Sequence, residues 1–459
     1  MPAVKYIIFF GALLMGLPLL TAWLLSHPRR VRLMATMHAF SIAFSVWVTL
    51  NFFPDPLYRG TARGIETTIS DLFALALLAA IFLLRRGRIT WLPPGWWAYG
   101  LYFLAGVISL VNADSLLYGF YELWKMMWMW VCFLVVYNYV LHTRDVEAIL
   151  RGLALSAIVS LLVVLWQKYV TGVFQTSGPF AHQNSMAMFY GMSAPVFLAH
   201  WLGQRQDRRW SRFLYPAAFM AATGCVFSTL SRGAIFFFPF GCLPVAARVL
   251  IQRWDERKIR IVFVLFLVGI VGIAKMGGTI IDRFLYAPEA SGGMRKHLAV
   301  AACNMANDKI LGVGINNWGI KINPPYEYAE HRIGAIYHED YKDGLVETIY
   351  LMAAAECGWW GMGVLLVFFL YFFALNLCNI FYYRNSAIAY LPVAIAGGLL
   401  NNYGQSVLEW VLKQSPSFYE LMTFFAIIAA MSTIYRENRR ARLRLPAVAL
   451  KTKTGGNIT

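Results

Sequence analysis

The sequence predicts an all-α, polytopic integral membrane protein, and three observations carry that prediction. Of 459 residues, 59% are hydrophobic and only 14% are charged, where a soluble chain is nearer half and a quarter. The mean hydropathy is +0.56. The apolar residues fall into long uninterrupted runs, which is the pattern of membrane helices and not of the short alternating segments of a β-barrel.

The runs follow one another along the chain. The first, Tyr6 to Leu25, is too long and lacks the small-residue exit of a cleaved signal peptide, so it reads as a retained helix. Further runs lie at about Leu33 to Phe53, Ile69 to Leu84, Trp96 to Val111 and Leu116 to Leu141. Others follow at about Ile149 to Tyr169, Ser185 to Trp201, Phe213 to Leu230, Gly233 to Ile251 and Ile261 to Lys275. The last are Trp359 to Phe381, Ala387 to Asn402 and Phe418 to Ile434. This gives thirteen spans, or twelve if the short Ala387 to Asn402 run with its Gly pair does not cross.

The formal net charge of +17 invites a nucleic-acid reading, but its placement argues against one. Basic residues gather in short connections: Arg29, Arg30 and Arg32; Arg85, Arg86 and Arg88; Arg205, Arg208, Arg209 and Arg212; Arg253, Arg257, Lys258 and Arg260. A basic tail runs from Arg436 to Lys453. That is the signature of cytoplasmic loops, and it puts the N-terminus outside and the C-terminus inside. From Ile281 to Gly344 there are seven Lys/Arg and eight Asp/Glu, so this long segment is near neutral and reads as periplasmic. The expected organisation is an N-terminal bundle (1–276), a large outer loop carrying the site (277–345), C-terminal membrane helices (346–435) and a cytoplasmic tail (436–459).

The outer loop breaks the apolar pattern with MRKH (Met294 to His297), GVGINNW (Gly312 to Trp318) and YHEDYKDGLVETIYLMAAAECGWWG (Tyr337 to Gly361). SGPFAHQNS (Ser177 to Ser185), the Ser231-Arg232-Gly233 reversal and the Pro54 to Thr68 loop with Arg59 and Arg63 share its side. An arginine in so apolar a setting costs a few kcal/mol unless it faces a cavity or an anion, which singles out Arg232 against a simple snorkelling role. The six cysteines are scattered through apolar runs, with no disulfide or metal-knuckle spacing. His338, Glu339 and Asp340 are adjacent, and adjacent ligands seldom converge on one ion, so no metal is expected. Gly312-x-Gly314 lacks a preceding strand and a third glycine, so it is no dinucleotide loop and reads as a tight turn.

Four pieces, GPFAHQNSMAMF, STLSRGAIFFF, MRKHLAVAACNMANDKILGVGINNW and VETIYLMAAAECGWWG, together resemble the O-antigen ligase and polysaccharide polymerase superfamily of bacterial inner-membrane glycosyltransferases. The resemblance spans roughly Phe174 to Phe381. It implies a metal-independent enzyme without cofactor, acting at the periplasmic face on a glycan carried by undecaprenyl pyrophosphate. The acceptor would be lipid A core, for a ligase, or another lipid-linked glycan, for a polymerase. Arg232 and Arg295 match the family's pyrophosphate-holding arginines. The family's proposed base is a histidine in Val-His-Asn-x-Tyr-Leu; here the aligned stretch is Val346-Glu347-Thr348-Ile349-Tyr350-Leu351, so the base falls to Glu347 or to His338. Lys296, His297, Asn317, His182, Asn184 and Tyr337 are candidate substrate contacts, with Tyr326, Tyr328 and Tyr341 as further sugar-stacking or interfacial rings. A transporter would show inverted repeats and mid-span ionisable groups; none is apparent in the sequence, and a scaffold role would leave the arginines dispensable.

Overall fold

The computed structural model describes residues 2–203, 211–250, 289–329 and 344–444, with a few positions between 256 and 278. Its helices follow the apolar runs closely. α1 (Pro2–Gly11) passes through one π-turn (Ala12–Gly16) into α2 (Leu17–Leu25), and α3 (Pro28–Ile42) follows. After a hairpin come α4 (Ile69–Leu84), α5 (Trp96–Ser109), α6 (Leu116–Thr143), α7 (Val146–Tyr169), α8 (Gln183–Gly203), α9 (Ser211–Ser228) and α10 (Arg232–Leu250). A loop helix (Glu289–Asp308), a kinked helix (Ile349–Tyr382), a short helix (Tyr390–Gln405) and a C-terminal helix (Ser415–Arg444) complete the described chain. Five of the described helices are long and apolar enough to cross a membrane on length and composition. The outer faces carry exposed Leu14, Leu19, Leu162, Leu243 and Leu370, as lipid-facing helices do. The protein is therefore an all-α, multi-pass membrane protein.

Inside a bilayer there is no water-driven force between helices, so close backbone approach and interhelical hydrogen bonds hold them. Gly397 of the short helix lies against Gly241 of α10 so closely that a Cβ would sit 2.0 Å from the Gly241 carbonyl oxygen. Asn376 and Asn379 of the kinked helix donate to the carbonyls of Pro392 (2.8 Å) and Ile428 (2.9 Å), fixing it to two neighbours.

The two ends of the bundle sort by chemistry. One end joins Arg32 to Asp145, Arg144 to Glu437, and Arg248 to the Arg384 carbonyl. The other joins the hairpin, the GVGINNW segment and the 406–414 connection. This sorting matches the alternation of basic and neutral connections along the sequence.

Two differences from the sequence reading matter for the site. The run from Leu33 to Phe53 is not one span: the helix ends at Ile42, and Thr49–Phe52 form β1, antiparallel to β2 (Ile65–Thr68) with Thr49 opposite Thr68 and Phe52 opposite Ile65. Hydropathy does not separate strand from helix in a short apolar run, and Val46, Val48 and Thr49 are β-branched. The span expected from Trp359 instead begins at Ile349 and bends at Gly358, whose φ of 79° breaks the helix. A Cβ there would lie 1.9 Å from the Ile310 carbonyl oxygen, so the bend is where the outer loop tucks against the helix.

A buried cluster of four charges ties these parts together. Lys413 Nζ lies 2.8 Å from Glu356 and 3.7 Å from Glu122, and Lys125 lies 2.6 Å from Glu122. Thr61 of the hairpin donates to Glu122 at 2.7 Å. With two acids and two lysines the cluster is neutral. Removing one member leaves an uncompensated buried charge, at a cost of about 3–5 kcal/mol. Lys413→Met should therefore lower the detergent-solubilised thermal midpoint sharply, whereas Lys309→Met, at an exposed pair, should leave it within error; equal midpoints would refute the structural role of the cluster.

Candidate active site

The GVGINNW segment is built as a clamp. Val313 N–H and Gly314 N–H donate to the Ala355 and Glu356 carbonyls at 2.9 and 3.0 Å. Gly312 and Gly314 have positive φ, and a Cβ on Gly312 would meet the Glu356 backbone at 2.4 Å. Asn316 is fully buried; its Oδ1 accepts from Thr61 N–H (2.8 Å) and its Nδ2 donates to the Ala62 and Tyr118 carbonyls. Asn317 Oδ1 accepts from Ser115 N–H at 2.9 Å, and Nδ2 donates to the Ser115 carbonyl at 3.1 Å. Asn317, a candidate substrate contact on sequence grounds, is thus buried and engaged by the start of α6, and it is not among the cavity-lining residues. The tight-turn reading of this segment describes what it does here.

The loop helix packs Leu298, Ala301, Ala302 and Met305 against Met352 and Ala355 of the kinked helix. Arg295 precedes Leu298 by three residues, so it shares that inward stripe. Lys296 and His297 fall on other faces and are exposed. The stripe delivers the Arg295 guanidinium to Glu347, which it contacts directly through Nε, and to Glu409, 3.6 Å from a terminal nitrogen. Glu347 is held in place because Leu345 and Val346 beside it are buried and Ile349 N–H donates to the Ser406 carbonyl at 3.3 Å. Glu409 is held because Lys413, one turn of chain further on, is the buried anchor of the four-charge cluster.

Glu347 and Glu409, the two partners of Arg295, border a cavity of about 700 Å³. Its wall includes Arg59 and Arg63 from the hairpin, His182 and Asn184 at the start of α8, Glu347, and Glu409. His182 Nδ1 accepts from Asn184 N–H at 3.2 Å, as a helix cap does, and burial lowers its pKa. Asn184 hydrogen-bonds Glu409. Burial raises the pKa of Glu347, against the pull of Arg295. Burial and the nearby Glu347 charge push Glu409 up to about 7, against Asn184 and Arg295. Glu347 and Glu409 are thus two carboxyls of raised proton affinity that share one guanidinium.

Arg232 opens α10 after a reversal at Leu230 (φ 52°) and is half-buried. No ion pair among the described residues includes it. It does not line the cavity, but Gly233 next to it packs on Leu408, the neighbour of Glu409; a Cβ on that glycine would sit 3.3 Å from Leu408. Tyr326 and Tyr328 hydroxyls bind Asp114 and Asp308, and their rings stack on each other at 6.5 Å. Tyr337, His338 and Tyr341 lie outside the described residues, as do Glu339 and Asp340. Among the described residues no three His, Cys, Asp or Glu side chains group as a metal site.

Glu409 was not singled out from the sequence. Its signal was there: Glu409 and Lys413, four residues apart, are the two ionisable groups of a connection that is otherwise uncharged.

Residues 217–366 match the family model described as O-antigen ligase. The matched stretch contains Arg232, Arg295, GVGINNW, Glu347 and Glu356, and over that part of the chain the protein is similar to the O-antigen ligase family. No curated protein matches the chain.

Glu409 gives the site a pH signature. A carboxyl with a raised folded pKa contributes stability that is fully present below its unfolded value of 4.5 and lost as pH rises through about 7. The thermal midpoint should fall from about pH 5 to about pH 8, and Glu409→Gln should flatten that slope. A slope unchanged in the variant would mean that Glu409 is not the group responsible.

Proposed function

We propose that the protein transfers a glycan from undecaprenyl pyrophosphate to an acceptor hydroxyl at the outer face of the inner membrane, as an O-antigen ligase acting on lipid A core. The observation that carries this reading is the Arg295–Glu347–Glu409 constellation beside a cavity at the non-basic end of the bundle. The matched family supports the reaction class.

In this reading the acceptor oxygen attacks the anomeric carbon, its proton passes to a carboxylate, and the bond from that carbon to the pyrophosphate oxygen breaks. Glu347 takes the proton; burial raises its pKa and so its affinity for the proton it must accept. His338 is the alternative base. The leaving pyrophosphate carries off the electron pair and needs charge neutralisation, which Arg295 and Arg232 supply through charge-assisted hydrogen bonds. Arg295 would release one carboxylate as it takes the phosphate, freeing that carboxylate to act as base. Because guanidinium groups do this work, transfer should persist in a chelator. His182 and Asn184 are proposed contacts at the cavity wall, and Lys296, His297 and Tyr337 are proposed contacts for a larger glycan.

Purified protein in nanodiscs, given a lipid-linked oligosaccharide and candidate acceptors with EDTA present, tests this. Arg295→Ala should abolish product, and Glu347→Gln should slow transfer by about 10²–10⁴-fold if it is the base. Full activity in Glu347→Gln together with loss in His338→Ala would move the base to His338. One preformed chain added per acceptor indicates a ligase, whereas a ladder indicates a polymerase. Binding of the lipid-linked sugar with no transfer to any acceptor would favour a transporter instead.

A further inference from the structure

Arg295, the cation singled out for phosphate, is already occupied by two carboxylates. The cavity's uncommitted positive charge lies elsewhere, on the hairpin. Arg59 and Arg63 both line the cavity and are exposed to it, and none of the ion pairs among the described residues includes either. They sit close enough to interact: burial lowers the pKa of Arg63 first, the Arg59 charge lowers it further, and Glu66 only partly opposes them. Two like charges held together are unfavourable without a counter-anion.

Their position is fixed rather than accidental. The turn between them is bonded through Asn316 to Thr61 and Ala62, and Asp55 Oδ1 accepts from Leu57 and Tyr58 N–H groups at 3.1 Å. An apolar groove of about 330 Å³ adjoins the cavity, sharing Thr49 and Thr68 with its wall. Ile8, Phe9 and Leu13 of the first helical run face Leu50, Leu72 and Leu75 across it. A paired cation site opening onto a hydrocarbon-lined slot suits an amphiphile with phosphate at one end.

We propose that Arg59 and Arg63 capture the phosphate of a lipid substrate whose hydrocarbon chain lies in the groove between the first helical run and α4. Which lipid occupies the site, the pyrophosphate-linked donor or a phosphorylated glycolipid acceptor, rests on the glycosyl-transfer reading above. The site itself rests on the geometry.

Binding to the full chain in detergent is measured with farnesyl pyrophosphate, inorganic pyrophosphate and a bis-phosphorylated lipid A. Arg59→Gln/Arg63→Gln should weaken at least one lipid phosphate about tenfold or more, and Arg59→Lys/Arg63→Lys should recover part of that loss. Ala12→Trp, which fills the groove, should weaken the same lipid while leaving inorganic pyrophosphate within about twofold. Loss confined to farnesyl pyrophosphate assigns the site to the donor, and loss confined to lipid A assigns it to the acceptor. Unchanged binding of both lipids in the double Gln variant, with monodisperse elution retained, overturns the proposal. So does an Ala12→Trp effect equal for lipid and inorganic pyrophosphate. Wild-type protein that binds lipid phosphate but transfers no glycan sinks the enzyme reading alone, and transfer intact in the double Gln variant sinks this site alone.

Discussion

Lys413 is the residue on which the geometry of the non-basic end of the bundle depends. Placing an ammonium where it is 2% exposed is unfavourable unless opposite charge surrounds it, and Glu356 and Glu122 supply that charge from two different helices. The requirement acts as a constraint on tertiary structure. The 406–414 connection must dip into the bundle, α6 must present Glu122 at the same depth, and the hairpin must bring Thr61 to cap it. The kinked helix must begin early enough to carry Glu356, which is why its first turns lie in what hydropathy reads as loop.

From that anchor the reactive groups follow by short covalent distances. Glu409 is four residues before Lys413, and Glu347 is nine before Glu356. The clamp at GVGINNW bonds to the backbone of Ala355 and Glu356, so it sets the height of the loop helix whose inward stripe ends in Arg295. The three central charges, Arg295, Glu347 and Glu409, thus come from three separate stretches of chain. A guanidinium held by two carboxylates is a resting arrangement that an incoming phosphate can enter by displacing one of them. In the proposed reaction the carboxylate displaced would serve as base next to the reacting centre, so that substrate binding and base activation become one event. Among the described residues the hairpin arginines have no ion-pair partner, and in the proposal above they serve capture while Arg295 serves the reacting phosphate.

Much of this was legible in the chain. Most of the described helices overlap the apolar runs, because a helix in lipid must satisfy its own backbone and so must be long, continuous and apolar. The exceptions are the Leu33 to Phe53 run, whose helix ends at Ile42, and the helix expected from Trp359, which begins at Ile349, while much of the Ile261 to Lys275 run lies outside the described residues. Arg295 and Glu347 came from motifs, and the structure brings them into contact. Asn317 was misjudged by the same route: a polar residue in an outer loop reads as a substrate contact, but its amide is consumed by Ser115. The β1–β2 hairpin was missed because its strand continues an apolar run, and Glu409 because a single acid in a short connection has no pattern around it.

The sequence by itself therefore determined fold class and the alternation of basic and neutral connections, and it drew attention to the stretch that holds Arg295 and Glu347. Those are properties of local composition, which act over the length of one helix or one loop. Only the tertiary structure decided which polar residues are structural and which face the cavity. Glu356 and Glu347 are chemically identical and nine residues apart, yet one is sealed against Lys413 and the other borders open space. That difference arises from partners distant in the chain, Lys413 lying 57 residues from Glu356, and the free energy of a buried charge is set by what surrounds it, not by its neighbours in sequence.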